Sequence, residues 1–317
     1  MGKHPKYSFV VPAYNEEQNI NVLHERIKSL MKNINNNWEI IFVNDGSKDN
    51  TLDILKKLAK ENENVKYIDL SRNFGHQAAL TAGYKHAKGD AIISLDCDLQ
   101  DPPEVISQMI EKWKEGYKIV YARRTNYRKD NIIKRLGSKF YYKFLGRFTR
   151  IDIPKNVGDF RLIDKKVLEQ INNMSEHSRY LRGMVAWTGF SHAFVDYKRP
   201  DRKNGKSAYS FAKLVSLGMD GMFNFSVLPL RLGFVLGVFS IITGLGLLLY
   251  QLLDVIFTGA YYHLYKWLTV VLFIFMGFVF ILIWIIGEYI GKIYDESRNR
   301  PYYIINEKEN FDEDINV

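Results

Sequence analysis

Ala91-Ile92-Ile93-Ser94-Leu95-Asp96-Cys97-Asp98-Leu99-Gln100-Asp101-Pro102-Pro103-Glu104 is an apolar run that ends abruptly in carboxylates. Gly89-Asp90 bounds it upstream, and Pro103 opens a helix pattern downstream. The spacing predicts a buried strand from Ala91 to Leu95, an acidic turn, then a helix. Side chains alternate along an extended chain, so Asp96 and Asp98 point to one side and Cys97 to the other. Two carboxylates on one side repel each other unless a cation lies between them. Such oxygen donors suit Mg²⁺ or Mn²⁺, with substrate phosphates completing the shell. The plainer alternative is a solvated acidic turn that caps the helix. Cys97 reads as a small buried residue on the core side.

The same rhythm runs upstream. Tyr7 to Val11 is a β-rich run broken by Pro12, followed by a helix pattern from about Glu17 to Met31. Trp38 to Val43 is a second strand, ending at Asn44-Asp45-Gly46-Ser47, where Ser47 or Asp49 can cap the next helix. Val65 to Leu70 is a third strand, with a helix from His76 to Lys88 behind it. Beyond the acidic turn come a helix from Pro103 to Glu115 and a strand from Tyr117 to Ala122. Strands alternating with helices predict an α/β domain with a mostly parallel sheet and right-handed crossovers. Ligands of such sheets bind at the carboxyl ends of the strands. Five polar clusters fall at those ends: Tyr14-Asn15-Glu16, Asn44-Asp45, Arg72-Asn73, Asp96-Cys97-Asp98 and Arg123-Arg124. No G-x-G-x-x-G and no Walker P-loop is present, so the common dinucleotide and NTPase signatures are excluded.

Downstream the character changes. Residues 131–150 mix Ile132, Leu136, Phe140 and Phe144 with Lys134, Arg135, Lys139 and Arg147. That pattern predicts a basic amphipathic helix at a membrane surface. Gly158 to Ile163 reads as a strand, Lys166 to Met174 as a helix, and Ser191 to Tyr197 as a further strand. A basic loop follows with Lys198, Arg199, Arg202, Lys203 and Lys206, then a second amphipathic stretch over 207–230. Leu232 to Leu253 and Trp267 to Gly287 carry no charge. Each is on the order of twenty residues, the length that spans a bilayer as a helix. Tyr261, Tyr262, Tyr265 and Trp267 between them suit an aromatic belt. Arg231 precedes this hairpin, and Lys292, Arg298 and Arg300 follow it. The positive-inside rule therefore puts both ends, and the α/β domain, in the cytoplasm. The acidic tail from Glu307 to Asp314 reads as a solvated, mobile end.

The domain expectation is thus 1–206 for the α/β domain, 207–230 for a juxtamembrane region, 231–290 for the hairpin and 291–317 for a tail. The 317 residues carry a formal net charge of +9, are 47% hydrophobic and contain a single cysteine. An internal disulfide is excluded. Nucleic acid is a poor partner, because the positive charge clusters beside apolar stretches and no binding motif is present. Met1-Gly2-Lys3-His4-Pro5 leads straight into a strand pattern, so no signal peptide is expected.

Together, Val11-Pro12-Ala13-Tyr14-Asn15-Glu16, Asn44-Asp45-Gly46-Ser47, Asn73-Phe74-Gly75-His76-Gln77-Ala78-Ala79-Leu80, the acidic turn, Gly158-Asp159-Phe160-Arg161-Leu162 and Gly287-Glu288-Tyr289-Ile290-Gly291-Lys292 resemble family 2 glycosyltransferases of the GT-A fold. The resemblance is narrowest to the polyprenyl-phosphate branch, the bactoprenol glucosyltransferases and dolichol-phosphate mannose synthases. It implies transfer of a sugar from a nucleotide sugar, UDP-glucose by preference, to a polyprenyl phosphate such as undecaprenyl phosphate. It also implies a divalent metal, an integral protein of the cell (inner) membrane, and a homo-oligomer, a tetramer by preference. Pro12, Tyr14, Glu16, Asp45, Asp96, Cys97 and Asp98 would line the nucleotide-sugar site, with Asp96 and Asp98 holding Mg²⁺ or Mn²⁺. Arg123, Arg199, Arg202 and Lys206 are the candidate phosphate ligands. The family's Gly-x-Ser/Thr-Lys-Tyr appears as Gly205-Lys206-Ser207-Ala208-Tyr209, so Lys206 is the candidate substitute for a lysine that Ala208 replaces. Asp98, Asp159 and Arg202 are the candidate catalytic residues. Asp159 falls where relatives place a base or an orienting group. A phosphate monoester is already an oxyanion near neutral pH, so positioning is the expected role. A single displacement would invert the anomeric centre. Two rivals stand against this reading. A processive polysaccharide synthase calls for more apolar helices and a Gln-x-x-Arg-Trp motif. An inactive scaffold on the same fold predicts damaged carboxylates.

Overall fold

The structure, a computed structural model, describes residues 5–34, 37–125, 154, 157–176, 179–198, scattered positions between 242 and 259, and 264–311. Strands Tyr7–Ala13 (β1), Trp38–Asn44 (β2), Val65–Leu70 (β3) and Ala91–Ser94 (β4) alternate with helices Ile20–Lys32 (α1), Thr51–Glu61 (α2) and His76–His86 (α3). A 3₁₀ turn at Pro103–Val105 leads into Ile106–Lys114 (α4) and Ile119–Arg124 (β5). Then come Val157–Asp164 (β6), Lys165–Asn173 (α5), Leu181–Trp187 (α6), His192–Tyr197 (β7), Leu264–Ser297 (α7) and Ile305–Glu309 (β8). Among the described residues, those before Ala208 and those from Arg300 onward form one compact unit, and those within Tyr209–Asn299 a second.

The strands of the first unit form one mixed, Rossmann-like sheet of order β7-β5-β6-β4-β1-β2-β3-β8. Period-two alternation sorts their side chains into two layers. Phe9, Val11, Ile40 and Phe42 face Leu23, Ile27 and Leu55 of α1 and α2. On the other side Val10 packs with Leu80 and Tyr84 of α3, and Ile41 and Val43 with Ala79 and Ala82. Burial on both faces explains why β1 and β2 read as nearly unbroken apolar runs. Each such large side chain contributes about 1.5–3 kcal/mol of transfer free energy.

The predicted parallel arrangement holds where strand and helix alternate. β1 pairs parallel with β2 and β4, and β2 with β3. Antiparallel pairs enter at β4/β6, β5/β6 and β3/β8. The antiparallel β6 positions the site. It brings its beginning, not its end, to the pole where β1 to β4 finish. Ser94 pairs with Arg161, so the two chains run on past that pair with Asp96 and Asp159 at the same level.

The tail differs from the sequence expectation. Ile305–Glu309 is the edge strand of the sheet, paired antiparallel with β3. Its charges disguised it. Lys56 Nζ reaches Glu307 at 2.6 Å, Ile305 and Phe311 pack against Ile68 and Leu70, and Asn310 donates to Ala59 and Val65 carbonyls at 2.8 Å.

In the second unit α7 covers the second uncharged run. Among the described residues it is the one helix long and apolar enough to cross a membrane, over Phe275–Tyr294. Leu272, Phe275, Phe280 and Ile283 on it are exposed. The described positions from Ile242 to Thr258 are helical, but most of the run from Leu232 to Leu253 lies outside the described residues, as do 131–150, 207–230 and the basic loop from Arg199 to Lys206.

Candidate functional site

The ends of β1 and β2 are fastened to each other. The N–H groups of Asn15, Glu16 and Glu17 donate to Ser47 Oγ (2.9 Å), Thr51 Oγ1 (2.9 Å) and Asp49 Oδ2 (3.3 Å). Asn15 sits at φ 56°, a left-handed conformation asparagine tolerates, and its Oδ1 accepts from the Lys48 N–H at 2.8 Å. Gly46 has φ 64°, and a Cβ there would stand 2.5 Å from the Arg72 carbonyl carbon, so only glycine lets the β3–α3 loop pass. Asp45 fixes that loop by accepting from the Phe74 N–H (2.7 Å) and the Gly75 N–H (3.0 Å). Burial pushes its carboxyl up, against the lowering effect of those two N–H groups and His76.

The acidic turn follows β4, which ends at Ser94, one residue earlier than expected. Asp98 Oδ1 accepts from the Gln100 N–H at 3.0 Å and closes the turn. Leu99 takes φ 58°, a conformation that costs a branched side chain about 1–2 kcal/mol. Asp96 Oδ1 and Gln100 Oε1 are both buried with no hydrogen-bond partner. Burial, with Asp101, Asp159 and Asp98 close by, raises the Asp96 carboxyl to about 6 despite His76. Among the described residues no three His, Cys, Asp or Glu side chains enclose a metal by themselves. Two orphaned oxygens in one turn do fit a hard cation whose remaining ligands are phosphate and water.

Beside this turn lies a cation-rich cluster around Asp159. Its Oδ1 accepts from Arg161 and, at 3.2 Å, from Arg182 Nε; its Oδ2 accepts from Arg182 Nη2 at 2.8 Å. His76 Nε2 stands 3.4 Å from Asp159 Oδ2 and 3.6 Å from Asp96 Oδ1. Burial alone would raise Asp159, but His76, Arg182 and Arg161 outweigh it and hold the carboxyl well below its ordinary range. Burial likewise opposes the imidazolium of His76, and the two carboxylates overcome it and raise its pKa. Asp159 is therefore a poor base and a strong organiser of cations.

The structure brings together Glu16, Asp45, Asp96, Asp98 and Asp159 at one pole, with Pro12 and Tyr14 on the β1 end. Cys97, as its alternation with Asp96 and Asp98 predicts, is buried in the core, with its thiol pushed up by burial, so its side chain does not line the candidate nucleotide-sugar site. Arg123, a candidate phosphate ligand, has a carboxylate partner on the surface. It forks onto Asp196 at 2.6 and 3.0 Å, a cross-strand pair on β5 and β7. Its neighbour Arg124, one residue on and hence on the opposite face, turns inward to Tyr197 Oη (3.0 Å), whose hydroxyl donates to Asp101 (2.6 Å). The sequence patterns point to no role for His76, Arg161 and Arg182. Arg161 was findable, since it stands two residues from Asp159 on a strand and shares its face. Arg182, on α6, carried no such signal. Arg199, Arg202 and Lys206 lie outside the described residues.

Residues 8–171 match the family described as glycosyl transferase family 2. The chain is 44% identical over 305 residues to an uncharacterized glycosyltransferase, YkcC, of Bacillus subtilis (strain 168), covering 96% of this chain and 94% of that protein. It is 38% identical over 305 residues to the bactoprenol glucosyl transferase of Shigella phage SfV, covering 96% and 99%. Among solved structures it is similar to glucosyl-3-phosphoglycerate synthase from Mycobacterium tuberculosis in complex with Mn²⁺, UDP-glucose and phosphoglyceric acid, at 18% identity and a TM-score of 0.46, covering 68% of this chain and 76% of that one.

Proposed function

This chain belongs to glycosyl transferase family 2, among relatives that include bactoprenol glucosyl transferases, and we propose that it moves glucose from UDP-glucose to undecaprenyl phosphate at the cytoplasmic face of a membrane. The observation that carries this reading is the meeting of Asp96, just past β4, with Asp159, near the start of β6, at the acidic turn where Asp96 Oδ1 and Gln100 Oε1 have no hydrogen-bond partner.

Asp96 and Asp98 would hold Mg²⁺ or Mn²⁺. When bound, that ion supplies Lewis-acid neutralisation of the departing diphosphate. The turns at Tyr14–Glu16 and Asn44–Ser47 hold the nucleoside. An oxygen of the lipid phosphate attacks the anomeric carbon from the face opposite the diphosphate. The carbon–oxygen bond to the diphosphate breaks, and its electron pair leaves with UDP, inverting the centre. No proton need be removed, because the second pKa of a phosphate monoester is about 6. That matches the chemistry of Asp159, a weak base. Its task is to hold Arg182 and His76 at the place where two anions meet, as fixed charge that does not reorganise during the reaction.

The apolar helix α7 pairs with the run from Leu232 to Leu253 as a hairpin. The stretch 131–150 and Arg199, Arg202 and Lys206 face lipid head groups, and Arg202 contributes to the phosphate site. The working form is a homotetramer. The test incubates purified protein with undecaprenyl phosphate and a panel of radiolabelled nucleotide sugars, with Mg²⁺, Mn²⁺ or EDTA. Labelled lipid from UDP-glucose, lost in EDTA, is expected. No labelled lipid from any donor would sink the transferase reading. Label undiminished by EDTA would remove the metal from it.

A further inference from the structure

Asp69, at the end of β3, is 5% exposed and keeps both carboxylate oxygens occupied by amides. Asn44 Nδ2 donates to its Oδ1 at 2.7 Å, and Asn306 Nδ2, from β8, donates to its Oδ2 at 2.9 Å. Because a carboxylate only accepts, Asn44 must present its nitrogen to Asp69. Its Oδ1 is thereby turned to the other side, where it accepts from the Ser47 N–H at 3.3 Å. Ser47 Oγ in turn accepts from the Asn15 N–H at 2.9 Å. A continuous run of hydrogen bonds thus passes from Asn306 through Asp69, Asn44 and Ser47 to Asn15, from the sheet edge to the turns on β2 and β1.

A break in the β3/β8 register supplies Asn306. Asp69 pairs with Glu307 and Leu70 with Ile305, which leaves Asn306 as the extra residue of a bulge. The residue paired with Asp69 is Glu307, a like charge, so the extra residue is what sets an uncharged donor beside it. With the bulge, an amide is re-aimed onto Asp69 while Glu307 goes to Lys56 at 2.6 Å. Plain edge pairing needs no such device.

We infer that Asn306 is a positioning residue for the nucleotide-sugar donor. Through Asp69 and Asn44 it sets the orientation of the Asn44–Ser47 turn and, across Ser47, of Tyr14–Glu16. This rests on the reading that those turns hold the nucleoside, and it adds a residue far along the chain that fixes their geometry.

The test uses the full chain. Asn306→Ala raises the KM for UDP-glucose and the Kd for UDP, read by calorimetry, about fivefold or more. Neither kcat nor the KM for undecaprenyl phosphate changes. Asn306→Asp is worse, because it sets a second carboxylate against Asp69. The exchange of both residues, Asp69→Asn with Asn306→Asp, retains every donor–acceptor pair: Asn44 donates to the new amide oxygen, and the new amide donates to the new carboxylate. It therefore restores donor affinity. A merely structural edge strand would lower Tm and the active fraction in all three variants while leaving the donor KM alone, and that result would overturn the inference. Hydrogen–deuterium exchange separates it from the donor reading. Faster exchange of a peptide spanning 44–48 in Asn306→Ala, with 91–95 unchanged, supports the linkage even where no UDP-sugar binds. Unchanged exchange at 44–48 rejects it.

Discussion

The two ends of the parallel strands bury the same kind of group and treat it oppositely. At the starting end Glu39 is 2% exposed and charge-paired: Ser8 Oγ (2.5 Å) and the Lys88 N–H (2.9 Å) donate to its Oε1, and its Oε2, which has no hydrogen-bond donor among the described residues, is held in an ion pair by Lys66 Nζ at 2.7 Å. Asp164, which β6 carries to that same end, takes Trp113 Nε1, the Lys166 N–H and Lys118 Nζ within 3.0 Å. At the finishing end the half-buried Asp96 keeps one buried oxygen with, among the described residues, no hydrogen-bond donor and no cation nearer than His76 at 3.6 Å, Gln100 likewise has an oxygen without a donor, and Asp159 gathers an excess of cations. A buried carboxylate that is satisfied stabilises the fold. One left unsatisfied destabilises it and is retained for what it binds. The difference separates the end that holds the sheet together from the end proposed to do chemistry.

Mutations can break that division. Asp98→Ala, at the finishing end, should lower kcat with UDP-glucose by about a hundredfold or more, while Asp96→Asn loses activity with Tm unchanged or raised, since it relieves repulsion among Asp96, Asp98, Asp101 and Asp159 that His76 only partly offsets. Thermal melts beside turnover assays check both; a large fall in Tm for Asp96→Asn would contradict the contrast. Asp159→Asn belongs to both regimes. It strands two arginines, so both turnover (about tenfold) and stability (about 1–3 kcal/mol by denaturant titration) should fall. Glu39→Ala, at the starting end, should cost about 3 kcal/mol of stability while kcat per folded molecule stays at its original value. The smallest effect is acid sensitivity. Burial pushes Asp164 up, but Trp113, the Lys166 N–H and Lys118 outweigh it and hold its pKa below the ordinary value. A depressed carboxyl contributes stability that is full above its unfolded pKa of about 4 and is lost as pH falls through the folded value. Tm measured over that acid range should therefore fall less steeply in Asp164→Asn than in the parent.

The strands were legible because buried parallel strands are written in contiguous apolar residues. The acidic turn and Gly158-Asp159 were legible as motifs that follow or precede such runs. The partners were not. That Asp159 meets Asp96 depends on β6 running antiparallel, which no local pattern encodes. That Arg124 and not Arg123 turns inward depends on the phase of β5 against the sheet, and a shift of one residue exchanges the two. β8 escaped because its short polar sequence makes sense only beside β3, whose edge it covers. Asp45 reads in the sequence as a candidate nucleoside ligand, but what the structure shows is its carboxylate fastening the next loop, a task visible only once Phe74 and Gly75 are placed.

β8 also sets an order of events during synthesis. A chain emerges from its amino end and domains fold as they appear, but the strand covering β3 is encoded after the 34-residue apolar helix. While that helix is being made, β3 presents an open edge, the kind of surface on which strands of other chains pair. The nascent enzyme is therefore incomplete through the whole period in which its apolar helix is made, and its sheet closes only after the most water-averse part of the chain has been dealt with.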